Sequence, residues 1–155
     1  MITNGIWVRG ANKKGVLVYS TNTDVKLQKM EWINYGMRVF IPIMVKVIFP
    51  LVAVWTTKPA YIEEFYIWHL ANREQINKEV IILGDCNSNA IWDNSHRKRG
   101  HLAVVEGLKK RGLESIYHCF ANPKIIQSYD ILDDEWLELS DHLPIVLEIS
   151  MEFWK

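Results

Sequence analysis

Cysteine is scarce in this 155-residue chain: Cys86 and Cys119 are the only two, and they form no CxxC pair. Both sit among apolar residues, so they read as reduced, core-like thiols and favour a reducing, cytoplasmic compartment. Net charge is absent too, with 18 basic and 18 acidic side chains. No overall field draws the chain to nucleic acid or membrane, and any attraction for phosphate must come from a local patch. The opening residues do not have the charged-then-apolar pattern of a signal peptide. There is no internal repeat, low-complexity tract or linker. One long apolar run exists, residues 39–55 (VFIPIMVKVIFPLVAVW), but it excludes a spanning helix more than it suggests one. Such a helix needs about 20 apolar residues. Here Pro42, Lys46 and Pro50 interrupt a β-branched run, which reads as two strands joined near Lys46. No membrane partner is expected.

What remains is an ordinary globular composition, 49% hydrophobic and 23% charged, with seven tryptophans suited to a β-rich core. The length fits one domain with a real core. Strands are expected at Gly5–Val8, Gly15–Ser20, Val25–Trp32, Arg38–Val45 and Val47–Thr56. The period then changes. Ile62, Phe65, Tyr66, His69 and Ile76 share a helical stripe, with Leu70 at its margin, which predicts a helix over Tyr61–Asn77. A strand at Glu79–Leu83 follows, then a helix over Gly100–Arg111 that Gly112 is placed to end. Leu113–Phe120, Ile125–Leu132 and Leu143–Ser150 read as extended. Strands first, then helix alternating with strand, give a single α/β or α+β sandwich over residues 1–155.

Two segments carry chemistry. In ILGDCNSN (Ile82–Asn89), a strand apolar on both faces ends at Gly84 and delivers Asp85 and Asn87. Ligands of such sheets lie beyond the strand ends. An acid there can bind a metal or orient water, and a neighbouring amide can donate to a phosphate oxygen. The plain alternative is an Asx-turn closing the strand by local hydrogen bonds. In SDHLP (Ser140–Pro144), Asp141 and His142 stand before the apolar strand Ile145–Ile149. There His142 can contact a phosphate or move a proton while Asp141 orients a partner or a metal. A charged turn capping a strand is the alternative.

Taken together, these segments resemble the endonuclease/exonuclease/phosphatase superfamily, which has the deoxyribonuclease I-like fold. GDCNSN (Gly84–Asn89) is similar to that family's GDFN motif, and SDHLPIVLEI (Ser140–Ile149) to its closing SDH motif and last core strand. The segments IWD, GLESIYH and WLELSDH between them, and NKKGVLVYS and PLVAVWT upstream, are also family-like. The resemblance implies a partial α/β sandwich of mixed, mostly antiparallel sheets with flanking helices. It implies a Mg²⁺- or Mn²⁺-dependent phosphodiester hydrolase acting on a phosphodiester substrate, with nucleic acid among the candidates. Asp85, Asn87, Asp141 and His142 would be catalytic. Asn87, Asn89, Arg97 and His142 would contact substrate, and Asp141 with Asp85 would meet the metal.

The sequence also departs from the family. No WN-type asparagine strand and no strand ending in a Gln-Glu pair precedes GDCNSN. Cys86 replaces the usual Phe. HCFANPKIIQS passes where an IDY-like aspartate is usual, and Asp130 has a poor context for that role. The expected chain is therefore a truncated domain whose metal, without the family glutamate, binds weakly if at all. A non-catalytic remnant or binding module that keeps half of the site is the competing expectation. Missing strands would leave an apolar edge or face, covered by self-association or by a complementing N-terminal segment.

Other features have simpler readings. HRKRGH (His96–His101) is either a local steering patch for a phosphate backbone or a solvated helix entry. Lys109, Lys110 and Arg111 suit a helix C-terminus. His69 reads as a core histidine and His118 as structural. Trp92 is the tryptophan expected to face a groove.

Overall fold

The computed structural model describes residues 4–10, 12–46, 48–117, 119–138 and 142–155, with backbone alone at Arg97, Asp134 and Trp136. Ten strands and three helices are present among them: β1 Gly5–Arg9, β2 Gly15–Tyr19, β3 Leu27–Lys29, β4 Phe40–Val45, β5 Phe49–Trp55, α1 Ile62–Ala71, β6 Ile81–Asp85, α2 Asp93–His96, α3 His101–Lys109, β7 Glu114–Ile116, β8 Cys119–Ala121, β9 Ile126–Ile131 and β10 Ile145–Ile149. The class is mixed α/β. Six strands form one sheet in the order β3-β4-β5-β6-β8-β7, and β1-β2 and β9-β10 form two separate two-stranded sheets. All pairings are antiparallel except β5 with β6.

Alternation along the strands sorts the side chains into layers. Val52, Val54, Ile82 and Phe120 face one way and pack with Phe65 and Trp68 of α1 and with Val104 and Leu108 of α3. Phe49, Ile81, Cys119 and Ala121 face the other way, toward Ile145, Leu147 and Ile149 of β10. Ile41, Ile43 and Ala53, on that second face too, pack with Ile6, Val8, Val16 and Val18 of the β1-β2 pair. The molecule is thus a helical layer, a six-stranded sheet, and a third layer made of two separate β-pairs.

The apolar run at 39–55 is the antiparallel pair β4-β5, with Lys46 at positive φ in the join. No helix among the described residues is long and apolar enough to cross a membrane. The helix expected over 61–77 stops at Ala71, because Asn72 turns its amide onto the Trp68 carbonyl and the Ile33 carbonyl. Ile76 stays in the core from the turn that follows. Strand β6 starts at Ile81 and not at Glu79, since Asn77 Oδ1 accepts the Glu79 N–H in a local turn. Ile145–Ile149, expected as a core strand, alternates between half-buried and exposed positions and, among the described residues, pairs with β9 alone. Its sequence is apolar at four of five positions, but Val146 and Glu148 on its outer face are exposed.

Candidate functional site

The parallel pair β5-β6, linked through α1, fixes the position of the site. Val54 lies opposite Gly84, and Trp55 opposite Asp85. Gly84 adopts φ +135°, and a Cβ there would overlap the Val54 carbonyl oxygen. Only glycine permits this close approach of the two backbones. One residue further, the Thr56 N–H donates to the Asp85 carbonyl at 3.0 Å. The polar residues that follow β5 and β6 therefore emerge side by side at the C-terminal ends of two parallel strands, where ligands of such sheets bind.

Asp85 is the centre of the site. Its Oδ1 accepts the Asn87 backbone N–H at 2.7 Å, and its Oδ2 accepts from the Asn87 side-chain amide at 2.8 Å. The Asx-turn alternative is therefore realised, with Asn87 held at φ +43°. A long-range partner is added to it: His142 Nε2 lies 3.3 Å from Asp85 Oδ2. Asp85 is 22% exposed and His142 41%, so the pair sits at the protein surface with its carboxylate partly sheltered. The Asn87 amide also donates to the Thr56 carbonyl at 2.9 Å. Both of its N–H groups are thereby committed, leaving Oδ1 as its remaining acceptor. The donation to a phosphate oxygen expected of Asn87 would require one of these bonds to be exchanged.

The other expected residues lie differently. Asp141 lies outside the described residues, as does His118. Asn89 caps the short turn Ala90–Trp92 by accepting the Ile91 N–H, and is exposed. Arg97 belongs to the turn Arg97–Arg99, and its side chain is outside the described set. Trp92 is exposed but does not line the groove described below. In the HRKRGH segment, His96 Nδ1 meets Glu63 at 3.3 Å, and His101 Nδ1 meets Ser88 Oγ at 2.9 Å. Asp93 accepts the N–H groups of His101 and Leu102, capping α3. The two histidines are therefore held by these contacts, while Lys98 and Arg99 beside them are exposed.

Cys86, next to Asp85, is buried, and its thiol is pushed up to about 12 by desolvation and then by the Asp85 charge. It is no thiolate nucleophile at neutral pH. Cys119 is likewise pushed up to about 12 by burial.

The described donors do not fit a tightly held divalent ion. Each Asp85 oxygen accepts one N–H group and keeps one lone pair for a further partner, so Asp85 alone can offer an ion a single carboxylate. Among the described residues no group of three His, Cys, Asp or Glu side chains is arranged to hold a metal. Mg²⁺ sites rest on one or two fixed carboxylates with water and substrate phosphate.

Three residues of the site were not singled out from sequence. Thr56 supplies both a carbonyl to Asn87 and an N–H to Asp85, while its own hydroxyl is buried without a partner among the described residues. Arg38 bonds Thr57 Oγ1 at 2.5 Å and the Lys58 carbonyl, and lies 3.7 Å from Glu64. Lys58 borders the same groove as Asp85 and His142. The available signal was the polar TTK directly after an apolar strand, the pattern that drew attention to GDCN.

The sequence matches no protein-family model and no curated protein.

Proposed function

We propose that the chain carries part of a phosphodiester hydrolase site of the endonuclease/exonuclease/phosphatase type, on a partial deoxyribonuclease I-like architecture. The observation that supports this most is the approach of His142 Nε2 to Asp85 Oδ2 at 3.3 Å, joining the two motifs that carry the family resemblance. In this reading His142 moves a proton to or from a reacting oxygen, and Asp85 fixes its tautomer and orientation. Asn87 is the strut that holds Asp85 in place. Asp141 belongs to the same motif as His142 and is proposed as the further carboxylate. A Mg²⁺ or Mn²⁺ ion at such a site would be held mainly by water and by the substrate's own phosphate, so weak activity is expected of this chain.

A second reading is favoured by the Asn87 amide, whose two N–H groups are both used internally. On that reading the site is a binding half-site without turnover. Both readings require a phosphate diester to reach His142. The test is a titration of the chain with diphenyl phosphate, followed at the His142 imidazole by nitrogen-15 NMR. The expected result is a saturable shift that Asp85→Asn weakens. An imidazole signal indifferent to the ligand overturns the proposal.

A further inference from the structure

A groove of about 1420 Å³ runs across the sheet between the two separate β-pairs and opens beside Asp85 and His142. All five residues of β2 line one side, whereas β1 contributes only Trp7. Ile145, the first residue of β10, lines the other side, and no residue of β9 does. The groove is therefore bordered by β2 along its whole length and by β10 at its first residue. Among the described residues each pairs with a single strand, β1 and β9 respectively. Each thus has an edge of backbone N–H and C=O groups without a ladder partner, which is a template for another strand. The floor is aliphatic: Leu51 and Ala53 of β5 and Leu83 of β6. Lys14 and Lys58 stand at the rim, exposed and without an ion-pair partner among the described residues.

We propose that this groove is a β-strand docking slot. It takes an extended polypeptide segment, apolar at alternate positions and acidic at the end that lies beside Lys14 and Lys58, that hydrogen-bonds to the open edges of β2 and β10 and completes the third layer. Three observations specify the occupant. Open strand edges are satisfied by extended backbone, and pockets for alternate side chains give such docking its selectivity. The aliphatic floor matches side chains that project every second residue. The two rim lysines lie at the Trp55 end of the groove, Lys14 bonded through its carbonyl to Gly10, which packs on Trp55, and they call for carboxylates at that end of the incoming segment. A two-stranded sheet is itself marginal in water, so a bridging strand would stabilise both pairs at once. Trp7 and Tyr19, half exposed beside the groove, offer stacking surfaces to a single-stranded nucleic acid as an alternative occupant. The aliphatic floor and the paired backbone edges favour the polypeptide. The proposal does not depend on the hydrolase reading, and its test involves no catalysis.

The probe is a pool of acetylated heptapeptides that alternate valine, isoleucine, leucine or phenylalanine with threonine and carry glutamate at one end, half of the pool at each end. A matched pool carries N-methyl groups on alternate backbone amides, and a thymidine octanucleotide serves as the nucleic-acid probe. Binding to the full chain is measured by calorimetry, and amide hydrogen exchange is followed in β2 and β10. The first pool is expected to bind below about 1 mM and to slow exchange in both strands, with affinity reduced roughly tenfold by N-methylation. Lys14→Glu with Lys58→Glu, both at exposed positions, should weaken it severalfold. No binding by the first pool, equal binding by both pools, or protection of β2 and β10 by the octanucleotide alone overturns the proposal.

Discussion

Asp85 Oδ2 and His142 Nε2 lie 3.3 Å apart although their residues come from different layers. Asp85 ends a strand of the six-stranded sheet, and His142 leads into a strand of a separate two-stranded sheet. Their approach depends on how β6 sits beside β5 and how the β9-β10 pair packs on the sheet face.

The first of these supports is testable at Gly84. A side chain there meets the Val54 carbonyl oxygen in a backbone conformation that L-residues rarely adopt. Gly84→Ala should cost more than about 2 kcal/mol, because both the ladder and the local backbone must shift. Urea unfolding of the purified variant measures this. A loss within about 0.5 kcal/mol, the range of a neutral surface change, contradicts the packing described.

Buried His69 gives the fold a defined acid sensitivity. Its Nδ1 lies 3.2 Å from the Phe65 carbonyl, its Nε2 has no partner among the described residues, and Gly107 of α3 packs against it. Desolvation, with a smaller contribution from Arg111, lowers its pKa from 6.5 to about 4. The unfolded chain therefore takes up a proton near pH 6.5, and the folded chain does so only near pH 4. Stability should be full above the higher value and fall as pH drops through this window, by about 3 kcal/mol in all. Unfolding free energies measured from pH 7 to pH 4 for wild type and His69→Gln give the comparison. A wild-type slope that survives unchanged in His69→Gln would assign the effect to other groups.

Much of this architecture was legible in the sequence because period and punctuation agree with it. The switch from strand to helical spacing at Ile62 coincides with the start of α1, whereas Gly84 falls one residue before the end of β6 and Gly112 three residues after the end of α3, both glycines at positive φ. The break of α1 was not legible, since Asn72 acts through a carbonyl of distant Ile33. Nor was the detachment of β10: apolar content gives strand propensity, while the number of neighbours is decided by tertiary pairing. At the site, Asp85, Asn87 and His142 stood out because polar groups adjoin the ends of apolar strands. Thr56 did not, because it acts chiefly through its backbone, which every residue shares.

The measurement that bears most directly on the central claim is hydrolysis of bis(4-nitrophenyl) phosphate by the purified chain, with and without Mg²⁺. The described site pairs an acid with a histidine but offers a divalent ion no fixed set of carboxylates. The expected result is slow turnover, reduced at least roughly tenfold, about 1.4 kcal/mol of barrier, in both Asp85→Asn and His142→Ala. Robust Mg²⁺-dependent turnover by wild type, lost in Asp85→Asn, would contradict the incomplete site and show that another carboxylate anchors the ion. Turnover indifferent to both substitutions would contradict the assignment of Asp85 and His142 altogether.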